Sequence, residues 1–348
     1  MSFALLVLIF LGAAGAVWIA GIHLSNTTDV LDHRLGLGEA IGGLVILSLA
    51  TNLPEIAITA SAALSHDLGI AIGNILGGIA LQTVVLVVLD GVGLGAISAL
   101  TYRAASLVLV LECGLVVAVL AVAIGGTQLP AQLTKGRIEP ASLLIVAVWV
   151  GGLFLLQRAQ RGLPWHEQGV APDGQKEPMK HSKAKKSAKA PSTKRTALVF
   201  AVSAAVTLAG GVALEQSGER IAGHLNMTGV LFGSTFLAAA TALPEVSTGL
   251  QAVRLGDYQL AMSDIFGGNA FLPVLFLVAS LLSGSAVLPL AQDTDIYLTA
   301  LGALLTVVYV YGLIFRPRRM VLRMGLDSFT VLALYAVGIA GLVAITKT

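Results

Sequence analysis

The stretch Ala50-Thr51-Asn52-Leu53-Pro54-Glu55-Ile56 decides how this chain is read. It lies inside a long apolar segment, where a carboxylate is costly and a proline breaks the helix. Residues 240–246 then repeat the pattern as Ala-Thr-Ala-Leu-Pro-Glu-Val, about 190 residues later. Two disfavoured residues, placed side by side twice, call for a reason beyond packing.

Composition sets the surroundings of that pair. Of 348 residues, 56% are hydrophobic and 11% are charged. Soluble domains carry about 25% charged residues, so this is an integral membrane protein. The single cysteine, Cys113, excludes an internal disulfide framework and any cysteine-built metal site. The N-terminus enters apolar sequence directly, without a basic preamble, so its first run reads as a membrane helix and not as a cleaved signal.

Ten apolar segments reach or approach the roughly 20 residues that a spanning helix needs. They are 3–24, 38–64, 68–92, 104–124, 141–156, 197–214, 228–252, 259–282, 296–315 and 329–345, of which the fifth and sixth are short. Between those two lies a polar stretch, 157–196, carrying Lys180, Lys183, Lys185, Lys186, Lys189, Lys194 and Arg195 among Pro, Ser and Gly. Its composition is that of a disordered linker. The positive-inside rule makes it a cytoplasmic loop, compatible with contact to anionic lipid heads. No Phe, Tyr or Trp interleaves the charges from Lys180 to Arg195, so nucleic acid is not an expected partner. The same orientation puts Arg34, Arg103, Arg254 and the cluster Arg316, Arg318, Arg319 and Arg323 inside. Lys135, Arg137 and Arg220 run against it, and both termini face outward.

Residues 34–78 align with 224–268 without a gap. Identical pairs include Gly43/Gly233, Thr51/Thr241, Pro54/Pro244, Glu55/Glu245, Asp67/Asp257, Gly77/Gly267 and Gly78/Gly268. Chance likeness between apolar segments yields Leu and Ala matches, not Thr-x-Leu-Pro-Glu in register with a distant Asp and a Gly pair. Five spans separate equivalent points. Five is odd, so the copies cross the membrane in opposite directions, the plan of many secondary transporters. The expected fold is an all-α membrane protein of about ten helices: a first five-helix repeat (1–156), the basic loop (157–196) and a second repeat (197–348).

Proline explains the carboxylate. Pro54 lacks an N–H and crowds the Ala50 carbonyl, which leaves backbone acceptors at Ala50 and Thr51 without helical partners. Pro244 does the same at Ala240 and Thr241. Such carbonyls persist in a membrane only where something else satisfies them. Glu55 and Glu245 bring anionic oxygens to the same depth, and carboxylates with carbonyls are Ca²⁺ ligands. Asn74 and Asp264 occupy one repeat position, so three carboxylates and an amide are expected around one cation site. Three like charges in a low-dielectric site need cations or protons to balance them. Competition of two ion types for the same oxygens is a physical basis for antiport.

At Thr51–Glu55, 73–78, Thr241–Glu245 and 263–269 the sequence resembles the calcium/cation antiporter superfamily, whose best-known branch is the sodium/calcium exchangers. The resemblance implies two inverted five-helix halves. It implies Ca²⁺ held by Glu55 and Glu245 with the carbonyls of Thr51 and Thr241, and Asn74 and Asp264 beside them. Sodium-coupled relatives read Gly-Thr-Ser-x-Pro-Glu, whereas Asn52 and Ala242 stand at the serine positions here. That leaves Na⁺ and H⁺ both open as the coupling ion.

Further candidates for ion or helix contacts are Asn52, Ser263, Asn269 and Glu112, the last an intramembrane carboxylate outside the repeat motif. Gln82 and Thr83 read as helix-contact groups, Asp67 and Asp257 as helix caps. Asp293 and Asp295 fall on the expected outer surface, with attraction of cations as the minor reading. The expected function is exchange of Ca²⁺ for Na⁺ across the inner or plasma membrane, with a Ca²⁺/H⁺ antiporter or a cation channel as alternatives. No enzyme motif such as Gly-x-Ser-x-Gly or His-Glu-x-x-His occurs. No cofactor is expected beyond the transported ions, and nothing in the sequence sets an oligomeric state.

Overall fold

A computed structural model describes residues 1–35, 48–95, 98–133, 137–164, 193–227 and 229–345. The start of the second segment with Gly43, the Arg34 side chain, Lys135 and most of the basic stretch lie outside the described residues. Among the described residues the regular structure is helical apart from one small hairpin. The first half holds α1 (Phe3–Leu35), α2 (Ser48–Thr51), α3 (Leu53–Leu64), α4 (Leu68–Val88), α5 (Leu100–Ala104), α6 (Leu107–Thr127) and α7 (Pro140–Gln160). The second holds α8 (Thr193–Leu225), α9 (Gly229–Phe232), α10 (Ala238–Thr241), α11 (Leu243–Leu255), α12 (Tyr258–Phe271), α13 (Leu275–Ser283), α14 (Asp293–Phe315) and α15 (Leu326–Ile345). A two-residue turn at Leu322 and Arg323, both at positive φ, closes the hairpin of β1 (Met320–Val321) and β2 (Met324–Gly325).

Among the described residues eight helical stretches are long and apolar enough to cross a bilayer. The second and seventh segments are not among them: each is interrupted at its proline, and the start of the second lies outside the described residues. Pro54 and Pro244 each sit in the first turn of a new helix, α3 and α11, where the missing N–H is tolerated. The second break is preceded by a π-helical turn at Gly233–Leu237. The fifth and sixth segments, read as short, are helices of 21 and 33 residues. Apolar counting stopped at polar side chains that the helices carry through. One is Glu215 of α8, buried, whose carboxylate accepts a 2.9 Å hydrogen bond from the Ser61 hydroxyl of α3. Both ends of the basic stretch are helical as well.

Burial identifies the centre. Of the best window in Leu68–Leu94, 83% is buried, and in Tyr258–Ser283 67%, against 22% in Phe3–Leu24. The helices that follow the two prolines' helices are therefore the protein's axis. Both begin with the expected aspartate cap: Asp67 accepts from the Ile70 N–H at 3.3 Å and Asp257 from the Leu260 N–H at 3.1 Å. Asp295 departs from its reading. It is buried and closes a capping box at the start of α14, accepting from the Gln292 N–H at 2.7 Å, so it is not a surface charge. At the end of α4, Asp90 accepts from the backbone N–H groups of Leu100 and Gly325 at 2.8 and 2.7 Å. That carboxylate ties the first half to the hairpin of the second.

The two long helices α1 and α8 pack along each other and against the broken helices, α8 on α3 and α1 on α11. The contact points are glycines in the repeat register. A Cβ on Gly21 would lie 2.7 Å from the Pro244 Cβ, and one on Gly211 would lie 2.9 Å from the Ala57 Cβ and the Pro54 carbonyl oxygen. Each repeat's first helix thus seats on the other repeat's proline break. Gly12 and Gly15 on α1 have open space where a Cβ would go. We expect Gly21→Ala or Gly211→Ala to lower thermal stability in detergent by roughly 1–3 kcal/mol, the usual cost of overpacking. Gly12→Ala should leave the unfolding midpoint unchanged or slightly raised, as read by scanning fluorimetry.

Candidate cation site at the repeat interface

The broken helices aim their acidic residues at one place. Glu55 and Glu245 each occupy the first turn of the helix after the break, so the N-terminal end of the helix dipole favours their charge. Both are buried, at 0% and 1% exposure. Glu245 lies within electrostatic reach of both Glu55 and Asp264. The threonines cross over: Thr241 approaches the Glu55 carboxylate and Thr51 approaches that of Glu245. Their hydroxyl hydrogens are turned to their own helices, Thr51 donating to the Ser48 carbonyl at 3.2 Å and Thr241 to that of Ala238 at 3.1 Å. The hydroxyl lone pairs are left for the site.

Hydrogen-bond accounting singles this place out. Gln82 donates to Glu55 Oε1 at 3.3 Å. Glu55 Oε2 and both oxygens of Glu245 have no hydrogen-bond donor. A buried acceptor without a partner loses its hydration and recovers nothing, a cost of about 1–3 kcal/mol and more for an ion. Three such oxygens around one point are not a packing accident.

The other candidates sort around this pair. Asp264 of α12 accepts from the Thr248 hydroxyl at 2.9 Å and lies beside Glu245. Asn74 is fully buried on α4, with neither of its side-chain polar atoms hydrogen-bonded. Asn52 donates to the Ser48 carbonyl at 2.7 Å and accepts from Gln82 at 3.4 Å. A Cβ on Gly268 would lie 2.8 Å from Asn52 Nδ2, so glycine is what admits this contact between repeats. Asn269 donates to the Thr83 hydroxyl at 3.1 Å. Ser263 donates to Glu112 at 3.0 Å. Gln82 is the residue whose reading changes most. Its repeat counterpart is Leu272, so the duplication gave no signal for it, yet it bonds both Glu55 and Asn52. Among the described residues no group of three His, Cys, Asp or Glu side chains is placed to hold a metal ion, the expected trio of Glu55, Glu245 and Asp264 included.

Two antiparallel copies meeting at buried carboxylates define an inverted-repeat membrane protein. The family described as sodium/calcium exchanger protein matches residues 4–157 and, a second time, 195–343. The chain therefore belongs to the sodium/calcium exchanger family. Among similar sequences are CaxA of Alkalimonas amylolytica, a candidate antiporter, 25% identical over 76% of each chain, and the inner membrane protein YrbG of Escherichia coli K12, 24% identical over 78% of each. Among solved structures, the sodium-calcium exchanger NCX_Mj superposes with a TM-score of 0.61 at 17% identity, covering 97% of this chain and 98% of that one. The H⁺/Ca²⁺ exchanger CAX superposes with a TM-score of 0.67 at 14% identity, covering 97% and 82%. These two likenesses share one fold and differ in the ion that their names pair with calcium.

Occupancy of the glutamate pair should be visible without transport. Saturating Ca²⁺, at 100 times its dissociation constant, should stabilise the protein by about 2.7 kcal/mol. The thermal midpoint of the wild type should rise accordingly, and that of Glu245→Gln should not.

Proposed function

We propose that this protein is a secondary-active antiporter that exchanges Ca²⁺ for Na⁺ by alternating access. One observation carries the reading: carboxylates from the two inverted halves face each other in the buried centre, with three oxygens lacking donors. Two carboxylates balance one divalent ion, and hard oxygen ligands suit Ca²⁺. Glu55 and Glu245 are the primary ligands. Thr51 and Thr241 add hydroxyl or carbonyl oxygens, and Asp264 and Asn74 flank them. The same pair is balanced equally well by monovalent ions, so the site can be filled by one ion class or the other but not both. Access alternates because the halves are antiparallel copies, and each can present the shared site to its own side.

The second reading replaces Na⁺ with H⁺. Ala242 favours it, because it has no side-chain oxygen where its repeat partner Asn52 has one. The membrane is read as the inner or plasma membrane, with stretch 157–196 cytoplasmic. The cation-π contacts of Arg316 and Arg318 with the Tyr102 ring, at 5.3 and 5.5 Å, support this orientation. They gather the residues assigned to the inside at one end of the molecule. Arg103 over the Tyr258 ring, at 5.4 Å, belongs to the same end.

Uptake of radiolabelled Ca²⁺ into inverted vesicles tests the proposal. An imposed Na⁺ gradient should drive uptake and a pH gradient alone should not. The reverse outcome selects the H⁺ reading, and flux independent of any counter-gradient makes the protein a channel. Glu55→Gln and Glu245→Gln should each abolish uptake at unchanged expression. Near-normal exchange in either variant would overturn the site assignment.

A further inference from the structure

The hairpin between α14 and α15 gathers arginines that no carboxylate neutralises. Arg316, Arg318, Arg319 and Arg323 fall within residues 316–323, and the last three are exposed. Among the described residues none of Arg318, Arg319 and Arg323 forms an ion pair. The cluster is held on a fixed frame. Arg316 and Arg318 lie over one ring, that of Tyr102 in α5, and Arg316 also donates to the Tyr102 carbonyl at 3.1 Å. The Leu326 N–H donates to the Arg319 carbonyl at 3.2 Å, and β1 pairs with β2. Like charges fixed side by side repel one another and attract an anion. The surroundings are those of a bilayer surface. Phe315, the last residue of α14, is 76% exposed, and Leu322 in the hairpin turn is 74% exposed. Because α14 is long and apolar enough to span, its exposed end faces acyl chains, and the arginines follow at the depth of the headgroups.

We propose that this hairpin binds the phosphodiester headgroup of an anionic phospholipid, gripped by Arg318, Arg319 and Arg323, with Phe315 and Leu322 against its acyl chains. The choice of residue separates this from topology alone. The positive-inside rule is met by Lys as well as by Arg, and the basic stretch 162–194 uses Lys and no Arg. The hairpin uses Arg and no Lys. A guanidinium is a planar fork that pairs two phosphate oxygens at once, whereas a lysine ammonium is a point charge. A soluble phosphate would engage the arginines and leave Leu322 in water; a lipid engages both. The site also reaches the most buried helix. A Cβ on Gly95, just past α4, would lie 3.2 Å from the Arg323 guanidinium, and the Gly325 N–H of β2 donates to Asp90 at 2.7 Å. A headgroup on the hairpin thus bears on the end of the helix that carries Asn74 and Gln82 to the centre. That the leaflet is the inner one rests on the orientation given above.

The test uses full-length protein in a neutral detergent, with phosphatidylglycerol titrated in mixed micelles. Equilibrium binding of a fluorescent phosphatidylglycerol and the thermal midpoint are read in parallel. Phosphatidylglycerol should bind saturably and raise the midpoint, and phosphatidylcholine should do neither. Arg318→Gln/Arg319→Gln/Arg323→Gln should weaken binding about a hundredfold, about fivefold for each charge removed. Arg318→Lys/Arg319→Lys/Arg323→Lys keeps the charge and loses the fork, so its affinity should fall between the two. Lys183→Gln/Lys185→Gln/Lys186→Gln, in the basic stretch, should bind as the wild type does. Gel filtration and the lipid-free midpoint establish that each variant is folded, and the Lys variant carries the test if the Gln variant does not fold. Equal binding of phosphatidylcholine overturns the proposal, as does wild-type affinity in either arginine variant or loss of binding in the basic-stretch variant. Stabilisation by inorganic phosphate equal to that by phosphatidylglycerol overturns it in favour of a soluble anion. Neither transport nor orientation enters these measurements, so a failed exchange assay and a failed lipid assay are told apart.

Discussion

A carboxylate oxygen buried without a donor is stable only if a cation or proton completes it, and the centre of this protein is organised around that requirement. Glu55 and Glu245 converge there, with the hydroxyls of Thr51 and Thr241 crossing between repeats and directing their hydrogens away. The prolines next to the glutamates start new helices at the same depth, so that helix N-termini face the anionic oxygens. Remove the duplication and each glutamate would be a lone charge in an apolar helix. Two copies in opposite directions bring the two carboxylates to one buried place.

The repeat symmetry extends beyond the site. Gly21 and Gly211 seat α1 and α8 on the breaks of the opposite repeat, and Asp67 and Asp257 cap the two most buried helices. Where the symmetry fails, one member of a repeat pair is polar and the other apolar. Gln82 faces Leu272 in the repeat register, Asn269 faces Ile79, and Asn52 faces Ala242. Gln82, Asn52 and Asn269 all make buried hydrogen bonds near the interface. The two halves share a scaffold and differ in the polar groups that they place at the interface.

Much of this was legible in the residues themselves. The apolar segments placed the helices, and the gapless repeat with an odd number of spans between copies gave the inversion. Pro-Glu, twice, marked the site, because few other pairings are so unfavourable in a membrane helix. Helix lengths were less legible. The fifth and sixth helices run past the polar residues at which apolar counting stops, because partners such as Ser61 for Glu215 come from another helix. Asp295 was misread for a related reason: a charge near a helix start is a surface charge or a cap according to where its side chain folds back.

What the sequence determined by itself is the fold class, the duplication and the identity of the paired glutamates, since each depends on local hydropathy or on a repeated word. Tertiary structure alone decided the rest. It brought Gln82 to Glu55, Ser263 to Glu112, and Ser48 and Glu112 to one cavity. None of these pairs is related by the repeat or by helical spacing. Their contacts follow from how α4, α6 and α12 close on the broken helices, and a single polar residue carries no record of which buried neighbour will face it.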